Sequence, residues 1–380
     1  MLDVIGLHEP LLAGNEWRYV KECLDSRWMS SAGEFVERFE EAVKDYTGAI
    51  YAVACVNGSA ALQVALRVAG VTADDEVIVP SLTFIAPVNA IRFNGANPVF
   101  MDVDEYYNID VDKTAEFLET HTELREDGCW NRQSCRKIVA ILPVHVFGNA
   151  VRLEPLLELC EKFHLTLIED AAESLGTVYT EGPLKGRHTG TIGKLGCLSF
   201  NGNKIITAGG GGMILTDDQE LAEKTLYLTT QAKDDPVRYV HHELGYNFRL
   251  TNLQAALGMA QLEQLRAFLK YKRKIFNQYQ ATLKNIDGLT LASVPDYAEN
   301  NHWLNLLQID TGIYDDDRED IMKKMEENGI QTRPVWKLNH EQKPYKDCQH
   351  YKIDTAEKLV ENSLCLPSSP NLTDEDFNRI

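Results

Sequence analysis

The sequence predicts an α/β fold: a mostly parallel sheet with helices on both faces, followed by a smaller α+β C-terminal domain. Three observations predict it. Short apolar runs alternate with helical stretches from Tyr51 to Glu169, and such alternation builds a parallel sheet covered on both sides. A long run rich in Ala, Leu, Gln and Lys, from Asn252 to about Leu283, reads as one bridging helix. After it, about 100 residues return to a mixed strand and helix pattern, the size of a companion domain. The expected division is an N-terminal arm at 1–14, a large domain at 15–250, a linking helix at 251–283 and a small domain at 284–380.

The arm is short and apolar, with Pro10 and Gly14. Helical spacing starts at Asn15 (Trp17, Val20, Leu24) and recurs from Glu34 to Tyr46 (Phe35, Phe39, Val43), with a loop at 26–33 between. Tyr51 to Val56 is a strand, Asn57 to Ala60 a turn and Ala61 to Ala69 a helix. Glu76 to Val79 is the next strand, and Pro80 to Phe84 leads into a helix ending near Asn94. Asn97 to Asp102, Lys137 to Pro143 and Leu165 to Glu169 are strands. Asp110 to His121 and Leu153 to Phe163 are helices. Beyond Gly212 come a helix at 219–231, a polar aromatic loop at 236–248 and the long helix. A strand at Asn305 to Ile309, a helix at Arg318 to Asn328 and a strand end at Gln331 to Pro334 complete the pattern. Asp315 to Asp317 is a solvated turn capping the helix that follows.

Composition narrows the function. The chain has 380 residues and a formal charge of −19, which speaks against a nucleic-acid surface. Its eight cysteines are scattered without a Cys-x-x-Cys pair, so neither a zinc site nor a disulfide framework is expected. No run approaches a membrane span, and the start lacks the basic and apolar regions of a signal peptide. A cytoplasmic protein that touches neither nucleic acid nor membrane is the expectation.

Ligands in parallel sheets sit beyond the carboxyl ends of the strands. That rule places Asn57 to Ala60, Ser81 to Phe84, His145 and Asp170 on one rim. Asn57-Gly-Ser-Ala60 opens a helix with small residues, a setting that suits a phosphate. Phe84 is placed either to stack on a flat ring or to pack in the core. Asp170 ends a buried strand beside Glu169; one of the two either caps a following helix or faces a positive ring nitrogen. His145 is either a structural histidine or a catalytic one. The stretch Ser199 to Gly212 holds a single lysine, Lys204, in an otherwise uncharged run that ends in four glycines. It reads either as a surface hairpin or as a lysine kept for chemistry. A phosphate cradle, an aromatic, an acid and a lone lysine are together what pyridoxal phosphate requires.

On these motifs the sequence resembles the DegT/DnrJ/EryC1/StrS sugar aminotransferases, a branch of the fold-type I (aspartate aminotransferase-like) pyridoxal-phosphate enzymes. The matching segments start at Asn57, Val79, Pro143, Ile168, Ser199, Gly209 and Gly245, in family order. Leu7-His-Glu-Pro10 and Thr332-Arg-Pro-Val-Trp336 are similar to the branch that aminates nucleotide-linked 4-keto-6-deoxy sugars toward legionaminic acid and related nonulosonates.

The resemblance implies an aminotransferase that takes its amino group from L-glutamate, leaving 2-oxoglutarate. It implies a homodimer with sites at the interface. Lys204 would carry the cofactor and shuttle the proton, and Asp170 would pair with the ring nitrogen. Phe84 would stack on the ring, with Glu173 near the ring oxygen. Ser59, Ala60 and Ser199 would hold the phosphate, with Asn247 reaching in from the second subunit. The glycines would let the backbone pass close to the cofactor or the dimer partner. His145, Arg249, Arg333, Trp336 and Lys337 are candidates for the substrate; no metal is expected. Other readings stay open: a 3-keto or 8-keto-octulosonate acceptor, a sugar dehydratase (whose members carry histidine in place of the lysine), or a non-catalytic regulatory relative.

Overall fold

The computed structural model of the chain describes residues 4–380. The part of the arm at 1–3 lies outside the described residues. Helices α1 (Glu16–Ser26) and α2 (Glu34–Thr47) come first. Then follow β1 (Tyr51–Cys55), α3 (Gly58–Val68), β2 (Glu76–Pro80), α4 (Ile85–Phe93), β3 (Asn97–Met101) and α5 (Val111–His121). A hairpin of β4 (Thr122–Arg125) and β5 (Gly128–Asn131) precedes β6 (Lys137–Ile141), α6 (Leu153–Phe163), β7 (Thr166–Asp170) and the short β8 (Val178–Tyr179). Next are β9 (Leu195–Ser199), β10 (Gly212–Thr216), α7 (Gln219–Thr229) and the long α8 (Asn252–Leu283). The remainder holds β11 (Leu289–Leu291), β12 (Ala298–Glu299), β13 (Asn305–Ile309), α9 (Arg318–Glu327), β14 (Arg333–Pro334), β15 (His350–Tyr351), α10 (Thr355–Asn362), β16 (Ser363–Leu366) and α11 (Asp374–Arg379).

The large sheet runs β1-β10-β9-β7-β6-β2-β3-β15. From β9 through to β15 every pairing is parallel, while β10 lies antiparallel to both its neighbours. Val77, Ile78 and Val79 of β2 have no exposed surface, because helices cover both faces of the sheet. Burying each such side chain contributes about 1.5–3 kcal/mol. One face packs Leu62, Leu66 and Ile91 of α3 and α4; the other packs Phe117, Leu156 and Phe163 of α5 and α6. The α/β expectation and most of its elements are met.

Four differences stand out. β9 and β10 were not anticipated, because their Gly, Ser and Cys content hides the strand pattern. Helix α3 starts at Gly58 rather than Ala61, so the expected turn is the helix's first turn. No helix follows Asp170, which removes its capping role. The four-stranded sheet β11-β13-β16-β14 forms the core of the smaller unit, yet β15 leaves it and extends the large sheet beside β3. The stretch 284–380 is therefore not confined to the small unit. Asp317 does cap α9, accepting from Asp320 N–H at 2.9 Å.

Candidate active site

Three strand ends meet on one rim. Cys55 at the end of β1 and Ser199 at the end of β9 both stand opposite Gly212, the first residue of β10. A Cβ on Gly212 would lie 2.6 Å from the Asn57 carbonyl and 2.8 Å from Gly58 N, so only glycine lets β10 pass the start of α3. A Cβ on Gly58 would likewise lie 3.0 Å from Ser199 Oγ. The glycines thus bring the chain against its own helix start. The first N–H groups of a helix lack intrahelical partners and carry positive partial charge. Asn57 takes up that of Ala60 at 2.8 Å. The N–H groups of Gly58 and Ser59 remain at the helix start beside the Ser199 hydroxyl. Gly58 is brought against Ser199, Ser59 follows it on the exposed side of the helix start, and the Ala60 N–H is already engaged.

The connection from β9 to β10 is a hairpin, but Lys204 does not point to solvent. Its side chain is only 12% exposed, and Nζ lies 3.2 Å from Glu173 Oε1. The other Glu173 oxygen accepts the Phe147 N–H at 2.9 Å. Phe147 adopts a left-handed backbone (φ 56°) unusual for a non-glycine residue. Asp170 ends β7 on the same rim. Burial pushes its carboxyl up to about 7, opposed by the Ala172 N–H; Glu173 raises it and Lys204 lowers it. Among the described residues the Asp170 side chain accepts only from Ala172, at 3.0 Å. A buried acid with so little support suits a cationic partner.

An aromatic wall closes the cleft. Phe84, half exposed, meets Trp336 edge-on at 6.2 Å. Trp336 stacks on Phe147 at 4.8 Å, and Phe147 stacks on Trp303 at 6.4 Å. Asn339 fixes the turn before Phe84 by donating to the Ser81 and Thr83 carbonyls at 3.1 and 2.7 Å.

The cradle, the acid, the buried lysine and the aromatic wall fit pyridoxal phosphate. The description "DegT/DnrJ/EryC1/StrS aminotransferase family" matches residues 10–380. The chain belongs to this family. It is 36% identical to the GDP-perosamine synthase of Caulobacter vibrioides, over 100% of this chain and 97% of that protein. It is 35% identical to the GDP-perosamine synthase of Escherichia coli O157:H7, over 98% and 96% of the two chains. The crystal structure of DesI in the presence of its TDP-sugar product superposes with a TM-score of 0.88 at 28% identity, covering 100% of this chain and 91% of that one. The chain is a pyridoxal-phosphate-dependent aminotransferase of the sugar-modifying type with the fold-type I architecture.

Two expected substrate residues are placed elsewhere. His145 is wholly buried. Its Nδ1 accepts the Val151 N–H at 3.0 Å, so Nε2 carries the proton and donates to Glu169 Oε2 at 2.9 Å. Both nitrogens are used, which makes His145 structural. Burial would raise the Glu169 carboxyl, but His145 and the N–H groups of Gly193 and Gly190 outweigh it and hold it below the usual range. Arg249 is spent on Glu40, with Nη2 3.0 Å from Oε2, and on the Ala54 carbonyl at 3.2 Å. Arg333 and Lys337 are exposed beside the half-buried Trp336. Asn247 is exposed, away from Lys204's contacts. Sequence reasoning missed Trp303, Phe147 and Asn301. The signal was present in Asn300-Asn-His-Trp303, a polar run leading into a buried strand. No group of three or more His, Cys, Asp or Glu among the described residues is arranged to hold a metal, and no helix among them is long and apolar enough to cross a membrane.

Proposed function

We propose that the chain moves an amino group from L-glutamate to a nucleotide-linked 4-keto-6-deoxy sugar. The observation that carries this reading is Lys204, buried at the sheet rim between a carboxylate and an aromatic wall. The names of the relatives support the sugar class. Two bear the name GDP-perosamine synthase and neither a legionaminic-acid name, so a GDP-linked acceptor is the first to try.

Pyridoxal phosphate supplies an aldehyde that carries the amino group and a ring that accepts the electron pair of a broken C–H bond. Asp170 keeps a proton on the ring nitrogen. Ser59, Ser199 and the amides at the start of α3 hold the phosphate. Phe84, half exposed on the rim, would lie against the ring. Lys204 would move the proton at the donor's α-carbon, and the same amine would serve the sugar half of the reaction. Glu173 steadies the freed ammonium. Arg333 and Lys337 offer positive charge to a diphosphate at the mouth.

The working unit is a homodimer in which Asn247 of a second copy completes the cleft. Val237, Tyr239 and Leu244 on the loop before Asn247 are 75–81% exposed in the single chain, a set that favours burial against a partner.

The test is a panel of GDP-, UDP- and dTDP-linked keto sugars with glutamate, following 2-oxoglutarate and the aminated sugar. Conversion of one 4-keto sugar is expected. Failure of every keto sugar, with glutamate still bleaching the yellow protein, would remove the nucleotide-sugar assignment.

A further inference from the structure

We infer that Trp303 is a positioning residue for Lys204, one that aims the lysine amine at the cofactor's aldehyde. The inference rests on Lys204 being the lysine that carries the cofactor, as proposed above.

Trp303 holds Lys204 in two ways. The ammonium lies 4.0 Å from the centre of the indole ring, within cation–π range. The indole N–H donates to the carbonyl of Asn203, the preceding residue, at 2.6 Å. A lysine amine sits on a flexible four-carbon stem and samples many positions unless held. Here both its tip and its backbone are referenced to one rigid ring. Glu173 adds the third point, at 3.2 Å from Nζ.

The ring itself is fixed. Its backbone is fixed too: the Trp303 main-chain N–H donates to Asn301 Oδ1 at 2.9 Å, and Asn301 also donates to the Glu173 carbonyl at 2.8 Å. One asparagine therefore sets both holders of the lysine. The Trp303 carbonyl accepts from Lys272 Nζ at 2.9 Å. Lys272 is fully buried, and its other acceptor is the Ser368 carbonyl. Burial drives its proton affinity well below that of an ordinary lysine. Its Nζ donates to both carbonyls, so its hydrogen bonds are spent inside the protein. Lys272 thus acts as a strut from α8 rather than as a second reactive lysine.

In the step at issue, the neutral Lys204 amine adds its lone pair to the aldehyde carbon. The C=N bond replaces C=O, and the oxygen leaves as water with the two amine protons. Holding Nζ in place speeds this step without changing non-covalent affinity.

The experiment follows capture of pyridoxal phosphate by cofactor-free protein, with borohydride reduction of the C=N bond and mass mapping of the labelled peptide. Affinity for pyridoxamine phosphate, which has no aldehyde, is measured in parallel. Trp303→Leu is expected to slow capture about tenfold while pyridoxamine phosphate affinity stays within about twofold. Trp303→Phe keeps a ring face and loses the indole N–H; capture about threefold slower is expected. Parental capture in Trp303→Leu, or an equal loss in both measurements, overturns the inference. If Trp303→Leu does not fold, parental capture in Trp303→Phe overturns it as well. Labelling of the parent at a lysine other than Lys204 would instead refute the assignment of the cofactor lysine.

Discussion

Glu173 bridges Lys204 and Phe147: one oxygen lies 3.2 Å from the lysine Nζ, and the other accepts the Phe147 N–H at 2.9 Å. The same carboxylate thus fixes Lys204 and satisfies a strained backbone turn. Glu173→Gln keeps an acceptor for Phe147 but removes the charge. It should lower kcat about tenfold with little change in melting temperature. Glu173→Ala should also leave the buried Phe147 N–H unpaired and cost about 1–3 kcal/mol of stability. A glutamate half-reaction measured beside thermal melting separates the two; parental kcat in Glu173→Gln would show that the charge is idle.

Lys204→Ala should retain pyridoxamine phosphate, since the cradle at Gly58, Ser59 and Ser199 is untouched. Turnover should fall by about four orders of magnitude or more. Equilibrium dialysis and product formation check it, and persistent transamination would remove Lys204 from its role.

Gly212→Ala tests the cradle. The added methyl carbon would meet the Asn57–Gly58 backbone at 2.6–2.8 Å, and backbone cannot swing aside as a side chain can. The start of α3 must then shift from Ser199. Pyridoxal phosphate affinity should fall about tenfold or more, seen by titrating the cofactor-free variant.

Asp170 predicts a pH dependence for the cofactor-free protein. Its folded carboxyl is raised from 3.8 to about 7, chiefly by burial. A raised acid contributes its stability below the unfolded value and loses it as pH rises through the folded one. Asp104 is raised to about 7 as well, again mainly by burial. Stability should therefore decline from about pH 4 to pH 7, and Asp170→Asn should lose part of that slope while keeping the Asp104 part. Identical slopes in the two proteins would count against a protonated Asp170.

Asp102 gives the opposite sign. Its carboxylate at the end of β3 accepts the N–H groups of Asp354, Thr355 and Ala356 at 2.8–3.0 Å and pairs with Lys113. Burial raises this carboxyl, but Lys113 and the α10 amides outweigh it and hold it below 3.8. Its contribution is present above the unfolded value and disappears as pH falls through the lower folded one. Asp102→Ala should cost about 1–3 kcal/mol by leaving the amides at the start of α10 unpaired, while Lys113 keeps Asp354 and the Lys352 carbonyl. Chemical denaturation at neutral and acid pH would show the loss shrinking as acid protonates the parent.

The sequence was most legible where one physical signal dominated. The periodicity of Glu34–Tyr46 and Asn252–Leu283 marked α2 and α8 because each buries a single stripe. The rim rule placed Asn57, Phe84 and Asp170 because strand ends are local. The strands flanking Lys204 were illegible because Gly212 and Ser199 answer to close packing against Asn57 and Gly58, a contact far away in sequence. His145 and Arg249 misled for a related reason. Their residue types suit substrates, and only the fold shows Glu169 and Glu40 taking their donors. Trp303 was passed over because the polar run that leads into it gives no sign of its partner Lys204, about a hundred residues away in sequence.

The insertion of β10 between β1 and β9 also sets an order of events at birth. Among the described residues β1 pairs with no strand but β10, and Gly212 lets β10 pass Asn57 and Gly58 beside Ser199. A nascent chain that has emerged only through Ser199 holds the helix start, the acid and the wall residues Phe84 and Phe147, yet has no phosphate cradle. The start of α3 and Ser199 are drawn together only when β10 seats between β1 and β9, and its pairing with β1 is a non-local contact expected late in folding. Tight uptake of pyridoxal phosphate would then report that β10 has taken its place.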